Sequence, residues 1–356
     1  MDHKGFKAID SLRKTRIIYP IIVGCGFILY MLYKEFDPSI FSNISFGWNS
    51  IFWLVIAVLL MVMRDVGYVI RLKILSDGEI SWLKSIKVVF LWEFASAITP
   101  SAIGGTSVAI IFVHKAGLNI GKSAAVVMAT SLLDELYFII FFPLLFIFVS
   151  PHLLFDVEKY SSNILLNSFY WFAVVGYSIK LIWVFLLGYG LFVNPVGLRK
   201  TILFVFKLPF LRRWKKNAYD AGADIIFSSR ALRRKPFKFW LKSFFATAIS
   251  WTSRYWVVNT LFLAFFIVHD HFIIFARQLV MWIMMLLSPT PGGSGFAEFI
   301  FKEFLFDFIN TDPQNMLSYA VGLAFLWRLI SYYPYLIIGA IIFPRWLRDN
   351  FNKSSK

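Results

Sequence analysis

The pattern of apolar and polar positions divides the chain into long apolar stretches separated by short polar ones. Six stretches are uninterrupted and come close to or exceed the roughly 20 residues that a helix needs to cross a bilayer. They are residues 17–33, 50–70, 123–149, 164–193, 239–268 and 316–343. No A-x-A-like cleavage site follows the first, so we interpret it as a span and not as a signal peptide. The pattern predicts an all-α polytopic membrane protein with six spanning helices.

Two further apolar stretches, 86–115 and 273–309, are interrupted at their centres by residues that do not continue a helix. The interruptions, Thr99–Gly105 and Ser288–Gly295, both contain proline and paired glycines. The halves of the first stretch are about 12–13 residues long, or about 20 Å, which is too short to span a bilayer. Each stretch is therefore either one kinked span or a re-entrant hairpin.

The distribution of charge favours hairpins. The first 16 residues are basic, and residues 194–242 contain thirteen Lys and Arg against two Asp. Such segments stay in the cytoplasm. If the N-terminus is cytoplasmic, the number of crossings places residues 194–242 inside only when 86–115 is re-entrant. When 273–309 is re-entrant as well, the C-terminus is also inside. We predict that the first hairpin enters from the cytoplasm and the second from outside.

The two halves repeat each other at a nearly constant offset. Arg64 and Arg254, each ahead of a broken stretch, are 190 residues apart, and Pro143 and Pro334, each in the following span, are 191 apart. With opposite orientations, this order is an inverted-topology repeat, which is typical of transporters. The alternative is a duplication retained only for packing.

This repeat divides the chain into three regions. Residues 1–193 form the N-terminal tail and first membrane repeat, 194–238 a basic cytoplasmic linker, and 239–356 the second repeat and a short tail. The linker is expected to form amphipathic helices on anionic phospholipids, or else a solvated loop that only sets orientation.

Composition excludes several classes of protein. The chain is 59% hydrophobic and 16% charged, with a mean hydropathy of +0.69, whereas soluble proteins are about 45–50% apolar and 25% charged. A soluble enzyme, a nucleic-acid-binding module and a disordered protein are excluded. The net charge of +16 indicates cytoplasmic loops facing anionic lipid and not nucleic acid. We expect a multi-pass protein of the bacterial cytoplasmic (inner) membrane.

Small and hydroxyl residues surround both predicted hairpin tips. A returning half-helix presents free N–H groups and the positive end of its dipole inside the protein, where a phosphate is favoured. The candidate contacts are Thr99, Ser101, Gly104, Gly105 and Thr106 in the first tip and Thr290, Gly292, Gly293 and Ser294 in the second. Alternatively, these residues only permit tight turns and close helix packing.

Ionisable residues inside the apolar stretches form a second set. Each costs on the order of 2.5–3.5 kcal/mol at a helix centre, so it should face a cavity or an opposite charge. They are Arg64, Lys180, Arg254 and Arg328 against Glu93, Asp134, Glu135 and Glu298. Arg254 and Arg328 are the predicted phosphate contacts, because guanidinium binds phosphate in bidentate fashion. The alternative is an ion-pair network that holds the helices together.

The sequence gives little support for a metal site, a nucleotide site or a hydrolase. His269-Asp270-His271 lacks a third metal ligand nearby in sequence. The chain contains no nucleotide-binding or hydrolase motif. We predict no metal, no cofactor and no catalytic residue.

The residues at the second tip resemble those of a known family. Pro291–Glu298 is similar to the P-G-G-x-G-x-x-E pattern of lysylphosphatidylglycerol synthase transmembrane regions, a flippase-like family, and Asp134 and Arg328 match further positions. Pro100-Ser101 followed by Gly104-Gly105 resembles the first-repeat counterpart. The resemblance extends from the first span to about Phe343. The chain departs from the family at Thr130-Ser131, where Glu-Arg is frequent, and at Thr106 and Ala109, where an acidic residue and an arginine are frequent.

The resemblance implies a flippase for a lipid with a bulky polar head, such as an aminoacyl-phospholipid or a polyprenyl-phosphate-linked sugar. A separate lipid-modifying enzyme is an expected partner, since no synthetase domain follows Phe343. Two alternatives stay open. One is a membrane-embedded enzyme acting on a lipid phosphate or glycolipid, with Asp134, Glu135 and Glu298 as acid–base groups. The other is a non-transporting protein that docks such an enzyme through residues 194–242.

Overall fold

The computed structural model describes residues 47–98, 101–155, 168–194, 196–197, 229–285, 293, 295–309 and 316–351. Within these ranges the regular secondary structure is helical, with no strand, which confirms the all-α class. The helices are α1 (Trp48–Leu75), α2 (Trp82–Ile98), α3 (Ser101–Lys115), α4 (Ile120–Phe148), α5 (Pro151–Phe155), α6 (Ser168–Gly188), α7 (Phe237–Phe265), α8 (His271–Met284), α9 (Phe296–Leu305), α10 (Met316–Ser331) and α11 (Tyr333–Phe351). Most of the predicted linker 194–238, with its amphipathic helices, lies outside the described residues.

Within the described residues, four helical segments are long and apolar enough to cross a membrane. They are Trp48–Leu75, Ile120–Phe148, Phe169–Val193 and Met316–Asn350, and each matches a predicted span. Helix α7 occupies the fifth predicted position and has 29 residues, but it is less apolar because serine and threonine recur along it. The first predicted span, 17–33, lies outside the described residues. The chain is a membrane protein, and the count of six spans stays a prediction.

Helices α1 and α7 form an antiparallel pair along a seam of small residues. Ser50 Oγ near the start of α1 donates to the carbonyl of Ala264 near the end of α7 (2.7 Å). Further along, Ser250 Oγ donates to the carbonyl of Arg64 (3.0 Å). A Cβ on Gly67 would lie 2.2 Å from Ser250 Oγ. Small residues therefore let the two backbones approach closely, as membrane helices require when no hydrophobic force drives them together.

Helices α2 and α3, within the predicted hairpin 86–115, also pack antiparallel. Lys84 Nζ near the start of α2 donates to the carbonyl of Ala116 just after α3 (3.1 Å). The helices have 17 and 15 residues, or about 25 and 22 Å, each shorter than a bilayer core of about 30 Å. The prediction that the break extends to Gly105 is wrong, because α3 already begins at Ser101. Gly105 instead packs against α2, where a Cβ would lie 2.2 Å from Ser96 Oγ.

The second interrupted stretch contains α8 and α9. Gly293 and Gly295 have φ angles of +69° and +84°, a left-handed conformation that glycine adopts at little cost. The predicted interruption ends at Gly295, and α9 begins at the next residue, Phe296.

The two prolines at matching positions behave differently. Pro143 lies inside α4 without breaking it, and Tyr177 Oη on α6 donates to the carbonyl of Ile139 (3.2 Å). That carbonyl is the one that proline, which has no N–H, leaves without its helical donor. Pro334 instead lies in the first turn of α11, and the predicted span 316–343 is interrupted at Tyr332. Proline is well tolerated at such a helix start.

Each half has a helix that packs partly on the other half. Phe94 of α2 contacts Phe343 of α11, with ring centroids 5.6 Å apart. In the other direction, Phe138 of α4 stacks on Trp282 of α8 at 3.4 Å. The halves are therefore interlocked through α4 and α11, and the space between them is enclosed by helices of both.

A cluster of charges fixes the polar turn between α1 and α2. Lys122 Nζ at the start of α4 lies 2.7 Å from Glu79 and 3.2 Å from Asp77, and Lys235, ahead of α7, also pairs with Asp77. Burial alone would raise the pKa of Asp77, but the hydrogen bonds from Lys235 and Lys122 outweigh it and lower that pKa from its usual value. The turn is thereby linked to both halves.

Candidate functional site

A cavity of about 320 Å³ lies among α1, α2, α4, α7, α8, α10 and α11. Its lining is charged and aromatic although the surrounding protein is apolar. The charged lining residues are Arg64, Arg71, Arg254, Arg328, Glu93, Asp134 and Glu135. The aromatic lining residues are Tyr68, Trp92, Trp251, Trp282, Tyr332 and Tyr335. In the part of the chain that the structure describes, no group of His, Cys, Asp and Glu has the arrangement of a metal site.

Helical spacing explains why α1 and α4 contribute two charges each. Arg64 and Arg71 are seven residues apart, close to two helical turns, so both lie on one face of α1. Asp134 and Glu135 are adjacent in α4, so their side chains diverge by about 100°. One carboxylate therefore meets α1 and the other meets α6.

Both terminal nitrogens of Arg64 are paired with carboxylates of the protein. Its side chain is 1% exposed, and its two terminal nitrogens lie 2.7 Å from Glu93 Oε1 and 2.8 Å from Asp65 Oδ1. Tyr335 Oη donates to Asp65 at 2.9 Å, and the guanidinium lies 4.4 Å from the centre of the Tyr68 ring. Both terminal nitrogens are therefore occupied by carboxylates, while Nε is buried without a hydrogen-bond partner among the described residues.

Asp134 is held by three donors. Arg71 pairs with it through both terminal nitrogens, the second at 3.3 Å, and Trp251 Nε1 donates to it at 2.7 Å. Arg71 also donates to Thr247 Oγ1 of α7 (3.1 Å). Sequence reasoning placed Arg71 in a cytoplasmic loop, because it follows the end of the predicted span 50–70. Helix α1 continues past it to Leu75 and buries it.

Glu135 pairs with the single charge of α6. Lys180 Nζ lies 2.6 Å from Glu135 Oε2 and is 3% exposed. The same ammonium lies 3.4 Å from the centre of the Trp282 ring, a cation–π contact that stabilises a desolvated cation. Lys180 was among the cations predicted to need a cavity or a partner, and Glu135 supplies the partner.

Arg328 and Glu298 form a buried pair at the start of α9. Arg328 Nε lies 2.8 Å from Glu298 Oε1, and both side chains are 5% exposed. The other carboxylate oxygen accepts from the N–H of Gly295 at 2.6 Å. The chain's own carboxylate therefore occupies the N-terminus that was predicted to attract a substrate anion. The face of Arg328 lies 3.8 Å from the centre of the Tyr332 ring.

Arg254 is held more loosely than the other cavity cations. Its side chain is 27% exposed, and its nearest carboxylate oxygen within the described ranges is Glu93 Oε2 at 4.0 Å. Its guanidinium lies 5.7 Å from the centre of the Trp251 ring. Because the carboxylate is at the limit of an ion pair, a stronger anion in the cavity can replace it.

The charges of the cavity and of the groups that pair with them are balanced. Among the described residues, five cations and five carboxylates are brought together: Arg64, Arg71, Lys180, Arg254 and Arg328, and Asp65, Glu93, Asp134, Glu135 and Glu298. Several ring faces are already covered by these cations. The aromatic lining therefore serves the protein's own arginines and lysine.

The predicted site residues divide into three groups. The ionisable ones meet at the cavity, where Arg64, Glu93, Asp134, Glu135, Arg254 and Arg328 line the wall and Glu298 stands behind Arg328. Among the tip residues, Gly105 and Gly293 are buried in close contacts, and Ser101, Gly104 and Thr106 lie in the first two turns of α3. Outside the described residues lie Thr99, Thr290, Gly292 and Ser294. Sequence reasoning missed Asp65, Arg71 and the aromatic lining.

Comparison with known proteins gives two matches. The model of a family described as Lysylphosphatidylglycerol synthase TM region matches residues 17–339. A UPF0104 membrane protein of Archaeoglobus fulgidus is 26% identical over 301 residues, which cover 81% of this chain and 84% of that protein. No solved structure matches the chain. The range matched by the family model includes every residue that lines the cavity.

Proposed function

We propose that this chain, which belongs to the family of lysylphosphatidylglycerol synthase TM regions, carries a polar-headed anionic or zwitterionic lipid between the leaflets of the bacterial cytoplasmic membrane. An aminoacyl-phospholipid and a polyprenyl-phosphate-linked sugar both fit this class. The observation that carries the proposal is a charged cavity, inside an apolar helical protein, in which one arginine is held loosely. A polar passage of this kind lowers the cost of moving a headgroup through hydrocarbon.

Arg254 receives the phosphate of the headgroup in this proposal. Guanidinium binds phosphate through paired hydrogen bonds, and Arg254 is 27% exposed with its nearest described carboxylate at 4.0 Å. When phosphate replaces Glu93 beside Arg254, Glu93 keeps its 2.7 Å pair with Arg64. The exchange therefore leaves no carboxylate of this pair buried without a cation.

The size of the cavity sets what enters it. At about 320 Å³ it falls at the lower end of the range of small-molecule sites, about 300–1,000 Å³. A phosphate-linked headgroup fits this space, and two acyl chains do not. The tails remain in the bilayer while the headgroup crosses.

The membrane architecture in this proposal is an inverted repeat with six spans, cytoplasmic termini and two re-entrant hairpins, α2–α3 and α8–α9. The antiparallel register set by the pairs 50/264 and 64/250 places residue 62 opposite residue 252. These two positions are also 190 apart, the offset between Arg64 and Arg254. Any antiparallel register that runs from a separation of 214 to one of 186 contains such a pair, and in this proposal the two-fold axis in the membrane plane passes through it. Alternating access arises when one repeat moves against the other.

An enzymatic role for the cavity carboxylates is less well supported. Asp134 is held by Arg71, Glu135 by Lys180 and Glu298 by Arg328, so each carboxylate is already neutralised by a cation. A lipid-modifying enzyme is instead proposed as a separate partner that supplies the lipid.

The test is lipid movement by the purified full chain in liposomes of phosphatidylcholine and phosphatidylglycerol. Labelled phosphatidylglycerol that reaches the outer leaflet is detected by loss of fluorescence on addition of dithionite. Because a hydrogen bond to a charged group contributes about 1.5–3 kcal/mol, Arg254→Ala should slow movement about 10- to 100-fold. Arg254→Lys should retain part of the rate.

The matched control is Arg233→Ala, which removes an exposed arginine outside the cavity and should leave the rate unchanged. Folding of each variant is checked by its elution and melting temperature. If a folded Arg254→Ala protein moves labelled lipid as fast as the parent chain, Arg254 has no part in transport. If the parent chain moves no labelled lipid, the flippase proposal fails for this class of headgroup.

A further inference from the structure

The pair formed by Glu135 and Lys180 is a charged group that the proposed binding of phosphate does not use. Lys180 is the only charged residue of α6, lies near the middle of that helix and is 3% exposed. Glu135 lines the cavity and is 16% exposed. Protons in cavity water therefore have access to Glu135, while Lys180 is sealed behind it.

The carboxylates of the cavity differ in how firmly they are held. Asp134 accepts from Arg71 and Trp251, and Glu93 lies between Arg64 and Arg254. Glu135 has a single close cation, Lys180 at 2.6 Å. Since donors that bind the ionised form oppose protonation, Glu135 is the lining carboxylate that takes a proton at the lowest cost.

Charge balance gives a reason for this protonation. The cavity and the groups paired with it hold equal numbers of cations and carboxylates, so an entering phosphate leaves one uncompensated negative charge in a poorly solvated site. A proton on Glu135 restores neutrality because Lys180 then contributes its full positive charge. The ring of Trp282, at 3.4 Å from the ammonium, continues to stabilise Lys180 when Glu135 is neutral.

We propose that Glu135 is a proton-binding site coupled to the headgroup site, and that one proton crosses the membrane with each anionic headgroup. This inference rests on the function proposed above. The proton comes from cavity water, binds a carboxylate oxygen of Glu135 as phosphate reaches Arg254, and leaves to water on the other side when the headgroup departs. No bond other than this O–H bond forms or breaks.

The other charged groups around the cavity are arginines, carboxylates and Lys180. Elements packed around Glu135 present Arg71 from α1, Glu93 from α2, Asp134 from α4, Lys180 from α6, Arg254 from α7 and Arg328 from α10. The arginines stay charged at all working pH values. Proton exchange is therefore confined to the carboxylates and Lys180; Lys180 is sealed behind Glu135, and Glu135 is the least restrained of the three carboxylates that line the cavity.

The first experiment measures proton uptake directly and needs no transport. Glycerophosphoglycerol, the phosphodiester headgroup of phosphatidylglycerol with its single negative charge, is added to the full chain in lipid nanodiscs at weak buffering, and a pH indicator records protons taken up. We expect about one proton per bound molecule in the parent chain, near zero in Glu135→Gln, and the parental value in the exposed control Glu79→Gln. No uptake by the parent chain, or equal uptake by Glu135→Gln, overturns the inference.

The second experiment imposes a pH gradient on the liposomes used for lipid movement. If one proton accompanies each lipid, one pH unit shifts the leaflet ratio of labelled phosphatidylglycerol about tenfold toward the alkaline side. The double variant Glu135→Gln with Lys180→Met keeps the charge balance, and should move lipid without responding to the gradient. Lipid movement by the parent chain with no response to pH overturns the inference and leaves the flippase proposal intact. If the parent chain moves no lipid at all, the flippase proposal fails, and the result of the proton-uptake experiment alone decides whether Glu135 binds a proton.

Discussion

Gly67 on the seam between α1 and α7 offers a stability test that is independent of function. Replacing it with alanine adds a Cβ that would lie 2.2 Å from Ser250 Oγ and 2.8 Å from the carbonyl oxygen of Ala246. The serine hydroxyl can rotate away only by giving up its hydrogen bond to the carbonyl of Arg64. The Ala246 carbonyl is backbone and cannot rotate, so the two helices must separate.

The magnitude follows from these contacts. Overpacking a close contact costs about 1–3 kcal/mol, and the lost hydrogen bond costs about 1 kcal/mol. Alanine regains about 0.5–1 kcal/mol over glycine within a helix. We therefore expect Gly67→Ala to be destabilising by about 1–3 kcal/mol, which corresponds to a fall in melting temperature of several degrees.

The matched control is Gly188→Ala at the end of α6. Gly188 has helical angles of φ −62° and ψ −47°, and a Cβ there meets nothing within 4 Å. This variant should be as stable as the parent chain or slightly more stable. Melting temperatures in detergent, read by size-exclusion chromatography, compare the two. If Gly67→Ala melts at or above the temperature of Gly188→Ala, the close approach of α1 and α7 is refuted.

Two further predictions concern charges. Arg328→Met leaves Glu298 buried without its cation and should lower the free energy of unfolding by about 3–5 kcal/mol. The double variant Arg328→Met with Glu298→Gln should regain most of this stability, because glutamine still accepts from Gly295. A melting temperature of the double variant no higher than that of Arg328→Met would contradict this. At the α1–α2 turn, the lowered pKa of Asp77 means that its ion pairs contribute stability above about pH 4 and lose it as the pH falls through the folded-state pKa. Asp77→Asn should therefore lower the melting temperature equally at pH 5 and pH 8. If the difference in melting temperature between the variant and the parent chain changes between these two pH values, the reasoning is contradicted.

The all-α class and the meeting of the ionisable residues were predictable from the sequence for a simple reason. A charge in an apolar stretch has few alternatives to a partner or a cavity, so Arg64, Glu93, Asp134, Arg254 and Arg328 were expected near each other. Which residues pair was not predictable, because partners such as Arg71 and Asp134 are 63 residues apart. Their pairing depends on how α1 packs against α4.

The positions of the breaks were predicted less well, since proline has no single effect on a helix. Pro143 stays within α4 because Tyr177 of another helix supplies the missing donor, a contact that no local pattern reveals. Pro334 begins a new helix. At the start of α9, Glu298 lies three residues after Gly295 and accepts from its N–H, which is the half of a capping box that does not need a side chain at the first position.

The paired helices α1 and α7 also restrict how the cavity wall can rearrange. Sliding one of them along the other would break the Ser50 and Ser250 hydrogen bonds together, whereas swinging α2 about the pair breaks neither. The pair is therefore a fixed part of the cavity wall. Arg254 lies on α7 of this pair, whereas Glu93 lies on α2. Because Glu93 pairs with Arg64 of α1 at 2.7 Å and lies 4.0 Å from Arg254 of α7, any movement of α2 away from the pair separates this carboxylate from both arginines.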